Sequence, residues 1–237
     1  MTWQRYWAGK THGQHAFKDE IFLARKANAQ LALLGPGKSL LDFGCGAAEL
    51  LVHMAPHYKY IIGADFSSSM LSMAQKRATS YKLTNIDWIE ADDVTIWNNP
   101  IIKEGKGQVR TFDHITCAEV VQYLTPKQIE RFLDNALSHI NPGGRLLLSG
   151  CIEPLLLQKW RKGAFVPSWQ KGIYFLKNFA RQAVIIYRKI NKFEHVDPNG
   201  NAYPEEFMWQ LAAKHGLNME IYPSTIFEYR YDVLIKN

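Results

Sequence analysis

The sequence predicts an α/β fold built around a mostly parallel β-sheet. Short apolar segments of strand-like composition alternate with longer segments of helical periodicity. The first short segment ends in a turn with two glycines, and the last two lie close enough to pair as an antiparallel hairpin. Because neighbouring parallel strands need a crossover helix between them, the alternation favours a parallel sheet with right-handed connections.

Seven strands and five helices are predicted in chain order. The strands lie at residues 38–43, 58–65, 85–91, 112–117, 145–149, 217–222 and 228–236, the last running antiparallel. The helices lie at residues 15–34, 48–56, 67–82, 126–140 and 204–215. Ser67 or Ser68 caps the third helix, and Pro126 suits the first turn of the fourth. Gly216 stops the last helix, and residues 141–144 (NPGG) predict a turn before the fifth strand.

Length and composition indicate one soluble globular domain spanning residues 1–237. The chain has 237 residues, of which 47% are apolar and 21% charged, so disorder, collagen and coiled coil are excluded. Residues 1–37 are predicted to form an N-terminal helical flap. Residues 154–203 interrupt the strand–helix alternation and are predicted to form a helical cap insert, since about 50 residues are marginal for an independent core.

The positive charge is concentrated in this insert. The net charge is +6, yet residues 154–193 hold nine basic and no acidic residues, which leaves 19 basic and 22 acidic residues elsewhere. A general affinity for nucleic acid is therefore not predicted. Residues 173–193 suit a helix with an apolar stripe beside a cationic one. Three interpretations stay open: a solvated cap helix, a contact with anionic membrane lipids, and attraction of an anionic acceptor.

Targeting and redox features indicate a cytoplasmic protein. The three cysteines, Cys45, Cys117 and Cys151, have no paired spacing, so reduced thiols are expected. The first residues lack the apolar core of a signal peptide, and no apolar run approaches the length of a membrane span.

The glycine turn and an acid on the next strand form the most informative pattern. Gly44 and Gly46 follow the first strand and open a helix, where glycine allows a positive φ and a close approach of ligand to backbone. Asp65 ends the second strand, where a carboxylate can accept two hydrogen bonds from a ribose diol. Together they predict an adenine-nucleoside site at the carboxyl edge of the sheet.

This pattern resembles the class I S-adenosylmethionine-dependent methyltransferases of small-molecule type. The resemblance covers residues 38–149 and, in topology, residues 204–237. It implies a Rossmann-like three-layer sandwich, S-adenosylmethionine as cofactor and S-adenosylhomocysteine as product. The cofactor-binding residues it implies are Asp42, Gly44, Cys45, Gly46, Asp65, Phe66, Met70, Asp92, Asp93 and Cys117. Two positions depart from the family pattern. Ala48 replaces the third loop glycine, which is tolerable if only the first two glycines need special geometry, and Tyr123 replaces a histidine.

The implied reaction is methyl transfer to a small-molecule acceptor, with oxygen the predicted target and a secondary metabolite or glycan the predicted kind of acceptor. Such a displacement needs an aligned, desolvated nucleophile, and a hydroxyl acceptor also benefits from a general base. Candidate catalytic residues are Glu119, Tyr123, His15 and Glu153. Candidate substrate residues are Tyr6, Trp7, His12, Tyr123, Trp160 and Trp169. Structural roles for these side chains, such as salt bridges, caps and packing, remain alternatives. No metal is predicted, because no Cys or carboxylate cluster supports His12 and His15.

Two other functions compete with this prediction. One is a non-catalytic S-adenosylmethionine-binding protein that docks on a membrane or partner through its basic helix. The other is an NAD-dependent oxidoreductase, suggested by the spacing of Tyr123 and Lys127. Pro126 argues against it, because that pair needs a continuous helix.

Overall fold

The predicted fold class is confirmed by a computed structural model, which describes Trp7 and residues 18–104, 108–172, 174–175 and 200–237. The strands are β1 (Ser39–Phe43), β2 (Tyr60–Asp65), β3 (Ile86–Glu90), β4 (Lys103–Glu104), β5 (Gln108–Val109), β6 (Phe112–Ala118), β7 (Ile140–Ile152), β8 (Asn218–Pro223) and β9 (Arg230–Lys236). Seven of them form one sheet in the order β3-β2-β1-β6-β7-β9-β8. β9 runs antiparallel to both of its neighbours, and the other pairs in this sheet are parallel.

Helices cover the sheet, and their ends follow local capping rules. They are α1 (Glu20–Leu34), α2 (Leu51–Met54), α3 (Ser68–Ser80), α4 (Pro126–Ser138), α5 (Pro154–Arg161) and α6 (Glu205–His215). Ser67 caps α3 by accepting from the Met70 backbone N–H at 3.4 Å. Thr125 and Gln128 form a capping box at α4. Gly216 ends α6 with a φ of +63°.

The apolar core lies on both faces of the sheet, as the alternation of side chains along a strand requires. On one face Leu41 belongs to a cluster that includes Phe132 of α4 and Leu211 of α6. On the other face its neighbour Leu40 packs with residues of α1 and α2, including Leu34. These two layers of helices around one sheet make the three-layer sandwich.

Three predicted elements had wrong bounds, two of them because of a contact that spacing does not reveal. Helix α1 begins at Glu20, since Asp19 accepts from the Phe22 N–H at 2.7 Å and acts as the cap. The helix predicted over 48–56 shrinks to α2 and a 3-10 turn at Ala55–His57. The turn predicted at 141–144 lies inside β7, where the backbone of Asn237 pairs with Gly143 and Gly144 at 3.0 and 3.1 Å.

The expectation that only the first two positions of the glycine loop need special geometry was also wrong. Ala48 adopts a left-handed φ of +57°, so the third position of the loop needs special geometry as well. Its methyl group is fully buried among the residues beneath α1 and α2, and this packing offsets backbone strain.

The described residues of the insert are 154–172, 174–175 and 200–203, which include α5 and a 3-10 turn at Ser168–Gln170. The helix predicted at 173–193 lies outside the described residues, apart from positions 174 and 175. Within the described parts of the chain, no helix combines the length and apolarity that a membrane crossing requires.

Candidate active site

A cavity of about 400 Å³ opens where β1, β2, β3 and β6 end. Its volume falls within the range of small-molecule sites. Among the predicted cofactor residues, those lining it are Asp42, Gly44, Cys45, Gly46, Asp65, Phe66, Met70, Asp92 and Asp93. Three predicted acceptor-side residues, Trp7, Glu119 and Tyr123, also line it. We call these two groups the cofactor end and the acceptor end of the cavity.

The glycine loop after β1 is held by backbone contacts that the two glycines make possible. The N–H groups of Gly44 and Cys45 both donate to the Ala64 carbonyl, at 2.7 and 2.9 Å. Gly44 has a φ of +77°, and a Cβ there would lie 2.3 Å from the Val120 side chain. Gly46, with a φ of +54°, has no heavy atom within 4 Å of an added Cβ. These hydrogen bonds hold the loop against β2, and the loop leaves space beside Gly46 for a ligand.

Asp65 links this loop to α3. Its Oδ2 accepts from the Gly46 N–H and its Oδ1 from the Ser67 N–H, both at 2.9 Å. Burial raises the pKa of Asp65, and these backbone hydrogen bonds oppose the rise. Ser67, and not Asp65, caps α3 with its side chain. Each oxygen of the Asp65 carboxylate can therefore accept a further hydrogen bond from a ligand in the cavity.

The described lining is acidic. Six carboxylates contribute to it, from Asp42, Glu49, Asp65, Asp92, Asp93 and Glu119, whereas no Lys, Arg or His is found among the described lining residues. Burial raises the pKa of Asp42 to about 6, and the Thr116 hydroxyl opposes the rise by donating to Asp42 at 2.8 Å. Such a lining stabilises a ligand with positive charge near the cofactor end.

Two of these acids are already engaged by the protein. Asp92 accepts from the N–H groups of Val94 and Thr95 at 3.0 and 2.8 Å, which lowers its pKa although burial alone would raise it. Asp93 is in an ion pair with Arg131 and accepts from Gln128 Nε2 at 3.2 Å. The loop after β3 is therefore rigid where it meets the cavity.

At the acceptor end, an acid and aromatic rings come together. Tyr123 packs edge-on against Trp7, with ring centroids 5.8 Å apart. Glu119 follows β6 directly, is only 4% exposed and adopts a left-handed φ of +57°. Its carboxylate is in an ion pair with Lys26 of α1. This end can hold an acceptor against an aromatic wall beside a buried carboxylate.

Four predicted site residues lie away from the cavity lining. Cys117 is fully buried in the core. Glu153 caps α5 and accepts from the Leu155 and Glu205 N–H groups at 3.3 and 3.2 Å. Trp160 packs on Tyr229 with centroids 4.9 Å apart, and Trp169 is 78% exposed. Tyr6, His12 and His15 lie outside the described residues.

Sequence reasoning missed three polar residues near the site. Glu49 lines the cavity three positions after Gly46. Lys26 and Gln30 are buried on α1, in the same stripe as Leu23, Ala27 and Leu34. Polar residues at apolar positions of a helical repeat were a readable signal for these two side chains.

Comparison with known proteins identifies the central part of the chain. Residues 41–146 match the family model described as a methyltransferase domain. The chain is 32% identical over 113 residues (48% of the chain, 43% of the relative) to a ubiquinone biosynthesis O-methyltransferase of Coxiella burnetii. It is 30% identical over 142 residues (59% of the chain, 45% of the relative) to the mitochondrial protein of that name from Schizosaccharomyces pombe. The chain thus spans less than half the length of these curated relatives.

A solved structure supports the fold over nearly the whole chain. The N-methyltransferase NodS from Bradyrhizobium japonicum, crystallised with S-adenosylhomocysteine, superposes with a TM-score of 0.61. The match covers 99% of this chain and 96% of that one at 18% sequence identity, so it speaks for the fold alone. The predicted resemblance is confirmed: residues 41–146 match a methyltransferase domain, and the chain has the fold of this solved methyltransferase.

Proposed function

We propose that this protein transfers a methyl group from S-adenosylmethionine to an oxygen atom of a small molecule. The observation that carries the proposal is the buried Asp65 carboxylate, which joins the glycine loop to α3 beside open space at Gly46. A bound nucleoside with a ribose diol fits that arrangement, because the carboxylate retains acceptor capacity.

The residues of the cofactor end suit S-adenosylmethionine in shape and in charge. Asp65 would hold the ribose hydroxyls, and the loop from Gly44 to Gly46 would lie along the methionine portion. Phe66 and Met70 offer apolar contact, and Asp92 would face the adenine amino group. The acidic lining complements a cation. When bound, this cofactor supplies a methyl carbon on a positively charged sulfur, which leaves as neutral sulfur with the bonding electron pair.

The acceptor end suits a hydroxyl acceptor with an apolar or aromatic body. Trp7 and Tyr123 would pack against it and exclude water. Glu119 would take the proton that the acceptor oxygen loses. A neutral acceptor fits the acidic lining better than an anionic one, because like charges repel in a poorly solvated site. Oxygen is also the target named for the two curated relatives.

Calorimetry and a transfer assay test the proposal in two steps. The wild type and Asp65→Ala are titrated with S-adenosylmethionine and S-adenosylhomocysteine, with Asp87→Ala as a matched control outside the cavity. Absence of binding by the wild type would overturn the proposal. Phenols, alcohols and amines are then assayed with methyl-labelled cofactor. Binding without transfer to any of them would favour the non-catalytic binding protein, and transfer to amines alone would exclude oxygen as the target.

We also propose that the insert contacts the anionic surface of a membrane facing the cytoplasm. Leu155, Phe165, Trp169 and Phe175 are exposed, as are Lys159, Arg161, Lys162 and Lys171. No Asp or Glu occurs from residue 154 to 175. Aromatic side chains beside cations favour the headgroup region of a bilayer. The three cysteines are free thiols, which fits a reducing compartment.

Flotation with liposomes tests this contact. Binding is expected with phosphatidylglycerol vesicles, is expected to weaken as salt is added, and to be absent with phosphatidylcholine alone. Trp169→Ser should reduce it, whereas Trp209→Ser, which alters another exposed tryptophan on α6, should not. Equal binding to both lipids would reject the electrostatic contact.

A further inference from the structure

Charged side chains from three elements are brought together behind the acceptor end of the cavity. Lys26 of α1, Glu119 after β6 and Arg230 of β9 are 5%, 4% and 6% exposed, and Asp232 of β9 is half-buried beside them. We call these four residues the charged cluster. Only Glu119 of the four also lines the cavity.

The contacts within the charged cluster converge on the Glu119 carboxylate. Lys26 Nζ is in an ion pair with Oε1, and Arg230 Nη1 lies 3.9 Å from Oε2. The Arg230 guanidinium is itself fixed, because Nη1 donates to the Gly150 carbonyl at 2.8 Å. Asp232 accepts from the Gly150 N–H at 2.7 Å and from the Ser149 hydroxyl at 2.9 Å. Both carboxylate oxygens of Glu119 therefore face a cation.

The backbone around Glu119 is also unusual. Glu119 has a left-handed φ of +57°, and Gly150 opposite it has a φ of +77°. A Cβ on Gly150 would lie 2.7 Å from Glu119 Cγ. The register of β7 against β9 shifts between Leu148 and Cys151, next to this contact. Left-handed residues other than glycine carry backbone strain and persist where the surrounding structure holds them.

A purely stabilising role explains this arrangement poorly. Removing ions from water costs several kcal/mol each, and apolar residues of similar volume often stabilise a fold as well or better. Burial, and then the Arg230 charge, lower the pKa of Lys26 to about 7, while Asp232 and Glu49 oppose this change. The Glu119 carboxylate paired with Lys26 also favours the protonated amine. The ion pair therefore depends on both partners, and one of them faces the cavity.

We propose that Lys26 is a positioning residue which, together with Arg230, keeps the Glu119 carboxylate ionised and directed toward the acceptor. The inference rests on the proposed methyl transfer to oxygen. Glu119 accepts the proton that the acceptor oxygen releases as that oxygen bonds to the methyl carbon. Lys26 touches neither reactant and acts through Glu119. Within the described parts of the chain, the charged groups that act on Lys26 include Lys18, Glu49, Glu119, Arg230 and Asp232.

The ionisation of Glu119 can be followed without any acceptor. The side-chain carboxyl carbons of glutamate are labelled with ¹³C, and the Glu119 signal is assigned by its loss in Glu119→Gln. In the wild type the Glu119 carboxyl should stay ionised over the pH range of the assay, because Lys26 and Arg230 both face it. In Lys26→Met it should titrate about 1 to 3 pH units higher, because the opposite charge is gone. Lys26→Arg should restore the low value, and Lys214→Met, which removes an exposed lysine, should leave it unchanged.

The outcomes separate this inference from the proposed function. Failure of the wild type to bind cofactor contradicts the proposed function but does not alter the titration. A wild-type Glu119 that is protonated at the pH of the assay overturns the inference even if Lys26→Met does not fold. The rate is then measured with an acceptor from the panel above. In Lys26→Met the acidic limb of the kcat/KM profile should move to higher pH, by the same amount as the Glu119 titration. Binding of S-adenosylhomocysteine should be unchanged. If the Glu119 titration shifts in Lys26→Met but the pH profile of kcat/KM does not, the role of Lys26 is structural only, and the inference is overturned.

Discussion

The two ends of the cavity differ in how the chain builds them. The cofactor end comes from loops that follow three adjacent strands. There the backbone N–H groups of Gly46 and Ser67 donate to the Asp65 carboxylate. Behind the acceptor end, Glu119 meets Lys26 and Arg230, which come from positions spread over most of the chain. The first depends on local turn chemistry, and the second depends on the docking of α1 and β9 against the sheet. Variants at each end should therefore affect different properties.

The largest expected effect is on turnover, at the acceptor end. Glu119→Gln removes the proposed base and should lower kcat by about 100-fold or more. Affinity for S-adenosylhomocysteine should be unchanged, because Glu119 lies outside the cofactor end. Rates and calorimetry on the same preparation check both parts. Loss of cofactor affinity in this variant would show that the two ends are not independent.

Protein stability provides a control for that variant. Removing one partner of a buried ion pair costs about 3 to 5 kcal/mol, so Glu119→Gln should lower Tm. The double variant Lys26→Met/Glu119→Gln should recover part of this loss without recovering turnover. A recovery of turnover would contradict a role for Glu119 in catalysis.

The next effect is on binding, at the cofactor end. Asp65→Ala should weaken S-adenosylhomocysteine binding by about 100-fold, since hydrogen bonds to a charged group contribute about 1.5 to 3 kcal/mol each. It also releases the Gly46 and Ser67 N–H groups that hold the loop. Calorimetry measures the change against the Asp87→Ala control. An affinity equal to that of the wild type would remove Asp65 from the site.

A smaller effect concerns pH at the cofactor end. The pKa of Asp42 is raised to about 6 by burial, so Asp42 loses its negative charge as pH falls through 6. Affinity for the positively charged S-adenosylmethionine should then fall by about five- to tenfold, equivalent to about 1 kcal/mol of charge interaction. Affinity for neutral-sulfur S-adenosylhomocysteine should change less. Asp42→Asn should bind S-adenosylmethionine with this weaker affinity at both pH 7.5 and pH 5.5. A wild-type profile retained in Asp42→Asn would assign the titration to another group.

The smallest effect concerns the left-handed residue Ala48. In Ala48→Gly, release of about 1 kcal/mol of backbone strain is balanced by loss of a buried methyl worth about 0.8 kcal/mol. Tm should therefore change by no more than about 2 °C. Calorimetric unfolding measures it, and a stabilisation well above this size would show that packing does not offset the strain at Ala48.

The cofactor end was easier to predict from the sequence than the acceptor end. Gly44, Gly46 and Asp65 were predictable, because each lies at a strand end where the sheet itself determines the position. Cys117 belongs to the same strand-end pattern but lies in the core, since alternate residues of a strand point to opposite faces. Glu153 and Trp160 follow β7, yet one caps α5 and the other packs on Tyr229. Neither contact is encoded in local spacing.

The sequence by itself determined the fold class, the succession of strands and helices in the first half, and the glycine loop with Asp65. Hydrophobic periodicity and turn residues act over a few neighbouring positions, so these features can be read locally. Only the tertiary structure decided that a lysine in α1 and an arginine in β9 meet the carboxylate of Glu119. Their positions in the sequence are 93 and 111 residues from Glu119. Charge pairing between distant residues produces no local periodicity in the sequence. These groups pair when the layers pack, because a buried charge without a partner is strongly destabilising.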